Sequence, residues 1–374
     1  MAQPEDKAEE ISTAPDPQVS ESQEQCPHDE WYHSTKTIVK YLMEHVPEFK
    51  KLSQLREAGW KSAEGDAFFQ KQRQTADNPS EHTIRFFHEM MLRMAGDLHK
   101  ATSAFQIQES SPEPRILDMC MAPGGFLEFA MRVSPNATGL GFTLPPSQGG
   151  HKVRISDTLG AVVRYLDITM LAADMGVDDI PVNHPDAQNF LPRLLSPGDT
   201  FDLIICDGQV LRTHERAEYR FRREAIRLTM TQLALGLEHL RPGGSMVVLL
   251  HKLEAWDTVQ LLYMFRKFSS VKLFKSRKSH AKRSSFYMVA SDIRSRHPDA
   301  LGAVEMWKGL WRVATFGSDE DYAAAFADRG LDVRVVLEEF GAELVRLGRL
   351  IWDTQAKALE TAPFLRTGGR RGRG

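Results

Sequence analysis

The sequence predicts an α/β fold on a mostly parallel sheet, with an antiparallel last strand and helical extensions at both ends. Three observations predict it. From Arg115 onward, short apolar runs alternate with longer amphipathic stretches, the pattern of a sheet with crossover helices. The last two apolar runs, 271–274 and 285–290, are close enough in sequence to pair antiparallel. On either side of this block, apolar residues recur at threefold and fourfold spacings instead, as on one face of a helix.

The chain has 374 residues, enough for two units or for one domain with long extensions. Hydrophobic residues make up 42% and charged residues 26%, so a sizeable core is within reach and wholesale disorder is excluded. The formal net charge is only -3, so any attraction to nucleic acid or membrane must come from local patches. The three cysteines, Cys26, Cys120 and Cys206, allow neither a disulfide framework nor a CxxC metal knuckle. MAQPEDKAEE lacks the order of a secretory signal, and no apolar run approaches the roughly 18 residues of a membrane span. A soluble protein of a reducing compartment, cytoplasm or nucleus, is expected.

Residues 1–29 are rich in Glu, Asp, Ser, Gln and Pro, and an acidic disordered tail is expected there. Residues 30–110 carry a helical pattern, clearest at Phe86, Met90, Met91, Met94 and Leu98. The sheet domain is expected over 111–295. Its strands read as RILDMC (115–120), ATGLGFTL (137–144), AVVRYL (161–166), FDLIICD (201–207), SMVVLLHK (245–252), VKLF (271–274) and SFYMVA (285–290). Helices are expected at 125–133, 218–240 and 256–268. The stretch from Thr169 to Thr200 is too long for a plain connection and suggests an insertion or lid. Residues 296–362, with Trp307, Trp311 and the run at 337–354, predict a helical appendage, and 363–374 a flexible Gly/Arg tail.

RILDMCMAPGGF places Asp118 in a buried strand and Ala122-Pro123-Gly124-Gly125 at the turn into a helix. Ligands of α/β sheets bind at such carboxyl ends of strands, where glycine lets backbone approach closely and proline fixes the turn. GxGxxG does not follow this strand and GxxxxGK[ST] does not occur, which lowers the dinucleotide and nucleoside triphosphate readings.

LDMCMAPGGF closely resembles the first motif of the FtsJ-like RNA ribose 2′-O-methyltransferases: an Asp, a short spacer, Ala-Pro-Gly-Gly and an aromatic, here Phe126. FDLIICDG resembles that family's fourth strand, ending in a catalytic Asp, here Asp207. LRPGGSMVVLLHK resembles its fifth, ending in a catalytic Lys, here Lys252. KSRKSHAKRSSFYMVA resembles its last hairpin, with Tyr287 in the final strand. The resemblance covers roughly residues 85–292 and implies a Rossmann-like class I methyltransferase sheet using S-adenosyl-L-methionine.

It also implies a Lys-Asp-Lys-Glu cluster, with Lys100, Asp207 and Lys252 as its first three members and Ser285 where the glutamate belongs. A ribose hydroxyl is a poor nucleophile that must be positioned and deprotonated, and a lysine serves if burial or a neighbouring positive charge lowers its pKa. Ser285 carries no charge, so one carboxylate is missing; Glu254 could substitute if the strand continues. The cofactor is expected on Asp118, Ala122, Pro123, Gly124, Gly125 and Phe126, with Asp167 on the adenine side and Asp207 near the methionine end.

Between Arg266 and Arg283 there are many lysines and arginines and no Asp or Glu. Contiguous with the catalytic strands, this run is an expected phosphate-binding footprint, with Lys275, Arg277, Lys278, Lys282 and Arg283 as RNA contacts. The histidines show no HExxH or paired-cysteine context, so no metal site is expected. Two other readings compete with RNA 2′-O-methylation. One is a catalytically impaired RNA-binding or interaction module, motivated by Ser285; the other is a small-molecule O-methyltransferase.

Overall fold

The computed structural model describes residues 28–108, 111, 113–327 and 330–366. The acidic segment 1–27 and the Gly/Arg segment 367–374 lie outside the described residues. Four helices come first: α1 (His28–His45), α2 (Pro47–Trp60), α3 (Ala63–Asp77) and α4 (Glu81–Thr102). Ser62 and Ser80 begin the latter two as side-chain caps, each hydroxyl accepting a backbone N–H three residues on.

Seven strands follow: β1 (Arg115–Asp118), β2 (Thr138–Thr143), β3 (Val162–Tyr165), β4 (Phe201–Cys206), β5 (Leu240–His251), β6 (Ser270–Phe274) and β7 (Ser285–Ile293). Their order across the sheet is β3-β2-β1-β4-β5-β7-β6, and β7 runs antiparallel to both of its neighbours. The crossovers carry α5 (Gly125–Val133), α6 (Glu224–Glu238) and α7 (Trp256–Phe268). The chain closes with α8 (Pro298–Phe316), α9 (Asp319–Ala327), α10 (Val333–Glu360) and α11 (Pro363–Arg366). The predicted α/β class, parallel sheet and antiparallel last strand are therefore all present.

Period-two alternation divides the strand side chains between two cores. Leu117, Ile204, Met246 and Val248 face one, with Leu42 and Phe49 of the first helices, Leu233 of α6, Val259 of α7, Trp307 of α8 and Phe340 of α10. Ile116, Leu203, Ile205 and Val247 face the other, covered by Met94 and Leu98 of α4 and Leu127 and Met131 of α5.

The terminal helices are structural parts of these layers. No α-helix lies between β2 and β4, and α8 packs on α6 and on the irregular chain that runs there. The stretch expected to be an insertion or lid is fixed in this way. Leu171, Met175 and Leu195 are buried, Asp174 accepts the N–H groups of Leu194 and Leu195, and the Trp311 indole donates to the Thr169 carbonyl at 3.2 Å. The beginning of the expected Gly/Arg tail is also packed, since Phe364 of α11 is buried against Phe68 and Phe69. Among the described residues no helix is long and apolar enough to cross a membrane.

Candidate active site

A cavity of about 1060 Å³ opens at the carboxyl ends of β1, β4 and β5, where the topology predicts a ligand. Its inner wall is the turn after β1. The chain leaves the strand with Met119 N–H on the Ile205 carbonyl and Met121 N–H on the Phe142 carbonyl. Gly124 then caps α5 at φ 108°, a conformation that disfavours any side chain. Gly125 permits a close approach: a Cβ there would lie 2.6 Å from Met91 Cβ and 2.8 Å from the His88 carbonyl of α4. Of the expected cofactor residues, Ala122, Pro123, Asp167 and Asp207 line the cavity. Asp118, Gly124, Gly125 and Phe126 are not among the lining residues. Phe126 is fully buried, its ring 5.3 Å from that of Tyr287.

Asp207 is the electrostatic focus of the inner end. Burial raises its carboxyl to about 7, and the hydrogen bonds from the Tyr287 hydroxyl, at 3.2 and 3.3 Å, oppose that rise. Asp118 is pushed well above the carboxylate range by burial and then by the charge of Asp207, against one N–H from Cys120. Burial, followed by the same charge, raises the Tyr287 phenol.

Asp167 sits differently. Burial, the largest influence, favours its neutral form, but Arg220, Thr169 and His214 together outweigh it and lower the pKa, with Arg220 Nη2 donating to Oδ2 at 2.5 Å. Its other oxygen accepts Thr169 N–H and Oγ1. Asp167, His214 and Glu224 bring their ligand atoms within 4.8 Å of one another, a spacing suited to a metal. Arg220 also donates to Glu224 at 2.6 Å, and Arg227 donates to Glu224 at 3.0 Å, so two guanidiniums already balance the two carboxylates.

Neither of the two expected catalytic lysines is among the lining residues. Lys100 is exposed in the last turn of α4, about 9 Å of helix beyond Met94, the last residue of α4 to line the cavity. Lys252 does not line the cavity either. On β5, pairing sets Leu249 opposite Tyr287 and His251 opposite Ser285, and these four line the cavity. Lys252 follows the end of β5 and turns the chain off the strand at φ 46°. Burial lowers its amine, with Glu254 opposing and Arg56 adding to the shift. Glu254 pairs with Arg56 at 2.5 Å, so it does not replace the missing carboxylate in the cavity. Asp207 and Ser285 alone of the expected catalytic four line it.

The basic hairpin divides three ways. Lys275 is buried, and its amine donates to the carbonyls of Arg283 and Ser285 at 2.6 and 2.7 Å, so it pins the loop and is not positioned to meet phosphate. Burial lowers that amine to about 7. Arg277 is exposed and faces a small groove against α10. Lys278, Lys282 and Arg283 line the mouth of the cavity. Sequence reasoning missed the opposite wall, made by Phe68 and Lys71 of α3 and Phe86, Phe87 and Met90 of α4. The helical spacing of Phe86 and Met90 was legible, but the same spacing marks an ordinary core face. His251 was also missed, although the strand period carried the signal.

The family model for FtsJ-like methyltransferases matches residues 93–293, more than half of the 374-residue chain. Comparison with curated proteins finds no match. Among solved structures, TrmN from Thermus thermophilus is similar at 13% identity and TM-score 0.31, over 54% of this chain and 48% of TrmN. The N-methyltransferase NodS from Bradyrhizobium japonicum WM9, in complex with S-adenosyl-l-homocysteine, is similar at 15% identity and TM-score 0.31, over 58% and 90% of the two chains. An O-methyltransferase family protein from Burkholderia thailandensis gives 12% identity and TM-score 0.31, over 69% and 71%. The span of the family match and the order of its strands lead to one conclusion: the chain belongs to the FtsJ-like methyltransferase family, whose methyl donor is S-adenosyl-L-methionine.

Proposed function

We propose that this methyltransferase acts on RNA, with a ribose 2′-hydroxyl as the methyl acceptor. The observation that carries the reading is the mouth of the cavity. Lys71, Lys278, Lys282 and Arg283 stand there beside Phe68, Phe86 and Phe87, at the opening of the cavity that holds Asp207. Cations interleaved with aromatic rings suit a phosphate backbone with accessible bases, and they are an unneeded feature for a small neutral acceptor.

The residues present fit S-adenosyl-L-methionine. Leu144, Leu166 and Ile168 offer an apolar wall for the adenosine beside Asp167, and the Asp207 carboxylate complements a positive charge at the inner end. The bound cofactor supplies an electrophilic methyl group. The Asp207 carboxyl, raised to about 7 by burial before the cofactor binds, is drawn towards its ionised form by a positive charge beside it, and as a carboxylate it can accept the hydroxyl proton. Tyr287 fixes that carboxylate in place. Lys278, Lys282 and Arg283 would hold the strand by its phosphates.

A specific observation favours a second reading, a module that binds RNA and cofactor with impaired transfer. Leu249 and Ser285 line the strand face beside Asp207 with no charge, Ser285 standing where a carboxylate was expected, and Lys252 is not among the lining residues. Incubation with labelled S-adenosyl-L-methionine and total RNA, followed by nucleoside analysis, separates the readings. A labelled 2′-O-methylnucleoside supports the first, bound but unlabelled RNA supports the second, and label on a base or on small molecules alone overturns the ribose assignment.

A further inference from the structure

The family match begins at residue 93, yet the cavity does not. One wall of it is built from the preceding helices: Phe68, Lys71 and Gln72 of α3, and Phe86, Phe87 and Met90 of α4. Phe86 is 49% exposed, and it lines the cavity beside Phe87, with ring centroids 6.1 Å apart. The extension is tied to the loops around the cavity. Asp77 pairs with Arg212 in the loop after β4. Glu81 pairs with Lys152 at 2.7 Å and Arg154 at 3.2 Å in the loop after β2. Gln72 accepts from Arg283 of the hairpin at 3.1 Å, and Lys282 lies over the Phe68 ring at 5.7 Å.

These ties hold an exposed aromatic surface beside a row of cations that belongs to the methyltransferase domain. Asp77 and Glu81, the acids at the junction of the two helices, are already paired, so Lys71, Lys278 and Lys282 set the local sign. Resting on the reading of RNA as substrate, we propose that the α3–α4 wall is a nucleobase platform: single-stranded RNA enters with one unpaired base stacked on Phe86, its neighbouring phosphates on Lys278 and Lys282. The aromatic surface selects single strands, because the faces of bases in a duplex are already covered by their neighbours. The N-terminal helices are then the substrate-selecting part of the protein.

The test uses the full chain and a short single-stranded RNA carrying one 2-aminopurine, whose fluorescence falls when the base stacks. Wild type should quench the probe, whereas in the annealed duplex, where the base is already stacked, adding the protein should cause no further fall. Phe86→Ala should lose the quench and weaken binding by about tenfold, as expected for one base stack, while Phe86→Trp retains both. Phe86 is exposed, so Phe86→Ala should fold normally, checked by circular dichroism and by retained cofactor binding. Unchanged quench and affinity in Phe86→Ala overturn the platform while leaving RNA as substrate. Equal binding of duplex and single strand also overturns it. No binding of any RNA by wild type removes both the platform and the reading beneath it.

Discussion

Replacing Asp207 with Asn should stabilise the protein relative to wild type by an amount that grows as pH rises. The Asp207 carboxyl is held at about 7 against an ordinary 3.8, because burial disfavours its charge more than the Tyr287 hydroxyl restores it. The folded state therefore binds this proton more tightly than the unfolded chain does. Its contribution is fully present below pH 3.8 and is lost as pH rises through about 7. Between pH 5 and pH 7 wild type should lose about 2 kcal/mol through this group, since the slope of roughly 1.4 kcal/mol per pH unit flattens as pH approaches 7, with less than about 0.5 kcal/mol further loss by pH 8. Asn cannot ionise, and its carbonyl can still accept from Tyr287, so the variant lacks this loss. The assay is urea unfolding of both proteins at pH 5, 6, 7 and 8 without cofactor. A difference between them that stays constant from pH 5 to pH 8 would show that Asp207 is solvated and ionised throughout, and would refute the electrostatic account of the site. If Asp207 accepts the hydroxyl proton as proposed, the gain in stability should coincide with loss of methyl transfer.

Three further outcomes follow from the positions of the lysines. Lys252→Ala should leave turnover within about threefold of wild type, because the amine faces Arg56 and Glu254; a hundredfold fall in initial rate would restore it to the chemistry. Lys275→Met should cost about 2 kcal/mol by leaving two buried carbonyls without their donor, and amide exchange over 276–284 should quicken; unchanged exchange would remove its pinning role. Lys278→Glu with Lys282→Glu should weaken binding of unrelated RNAs alike and reduce the salt-dependence slope by about 2, whereas an unaltered slope would place the phosphate path elsewhere.

The sheet was readable because each strand from RILDMC to SFYMVA is a contiguous apolar run, and local pattern alone defines such elements. Asp207 was readable for the same reason, as an acid ending a run whose direction and depth the pattern already set. What the strand pattern did not show is where β5 ends: its last residue, His251, lines the cavity, whereas Lys252 follows the strand at φ 46° and is not among the lining residues. Composition counts the hairpin's Lys275 and Lys278 alike, although one is buried beneath the loop and the other lines the cavity.

By itself the sequence determined the α/β class, the order of the strands along the chain, the Ala-Pro-Gly-Gly turn and the acid at the end of β4, because these depend on residues adjacent in the chain. Tertiary structure decided what surrounds that acid. It brought Phe68 and Phe86 to a cavity whose inner end is more than 100 residues away, placed Leu249 and Ser285 on its strand face, and gave the cation position beside Asp167 to Arg220. Those relations depend on the packing of the helices and on the register of β5 against β7, and neither is encoded by spacing along the chain.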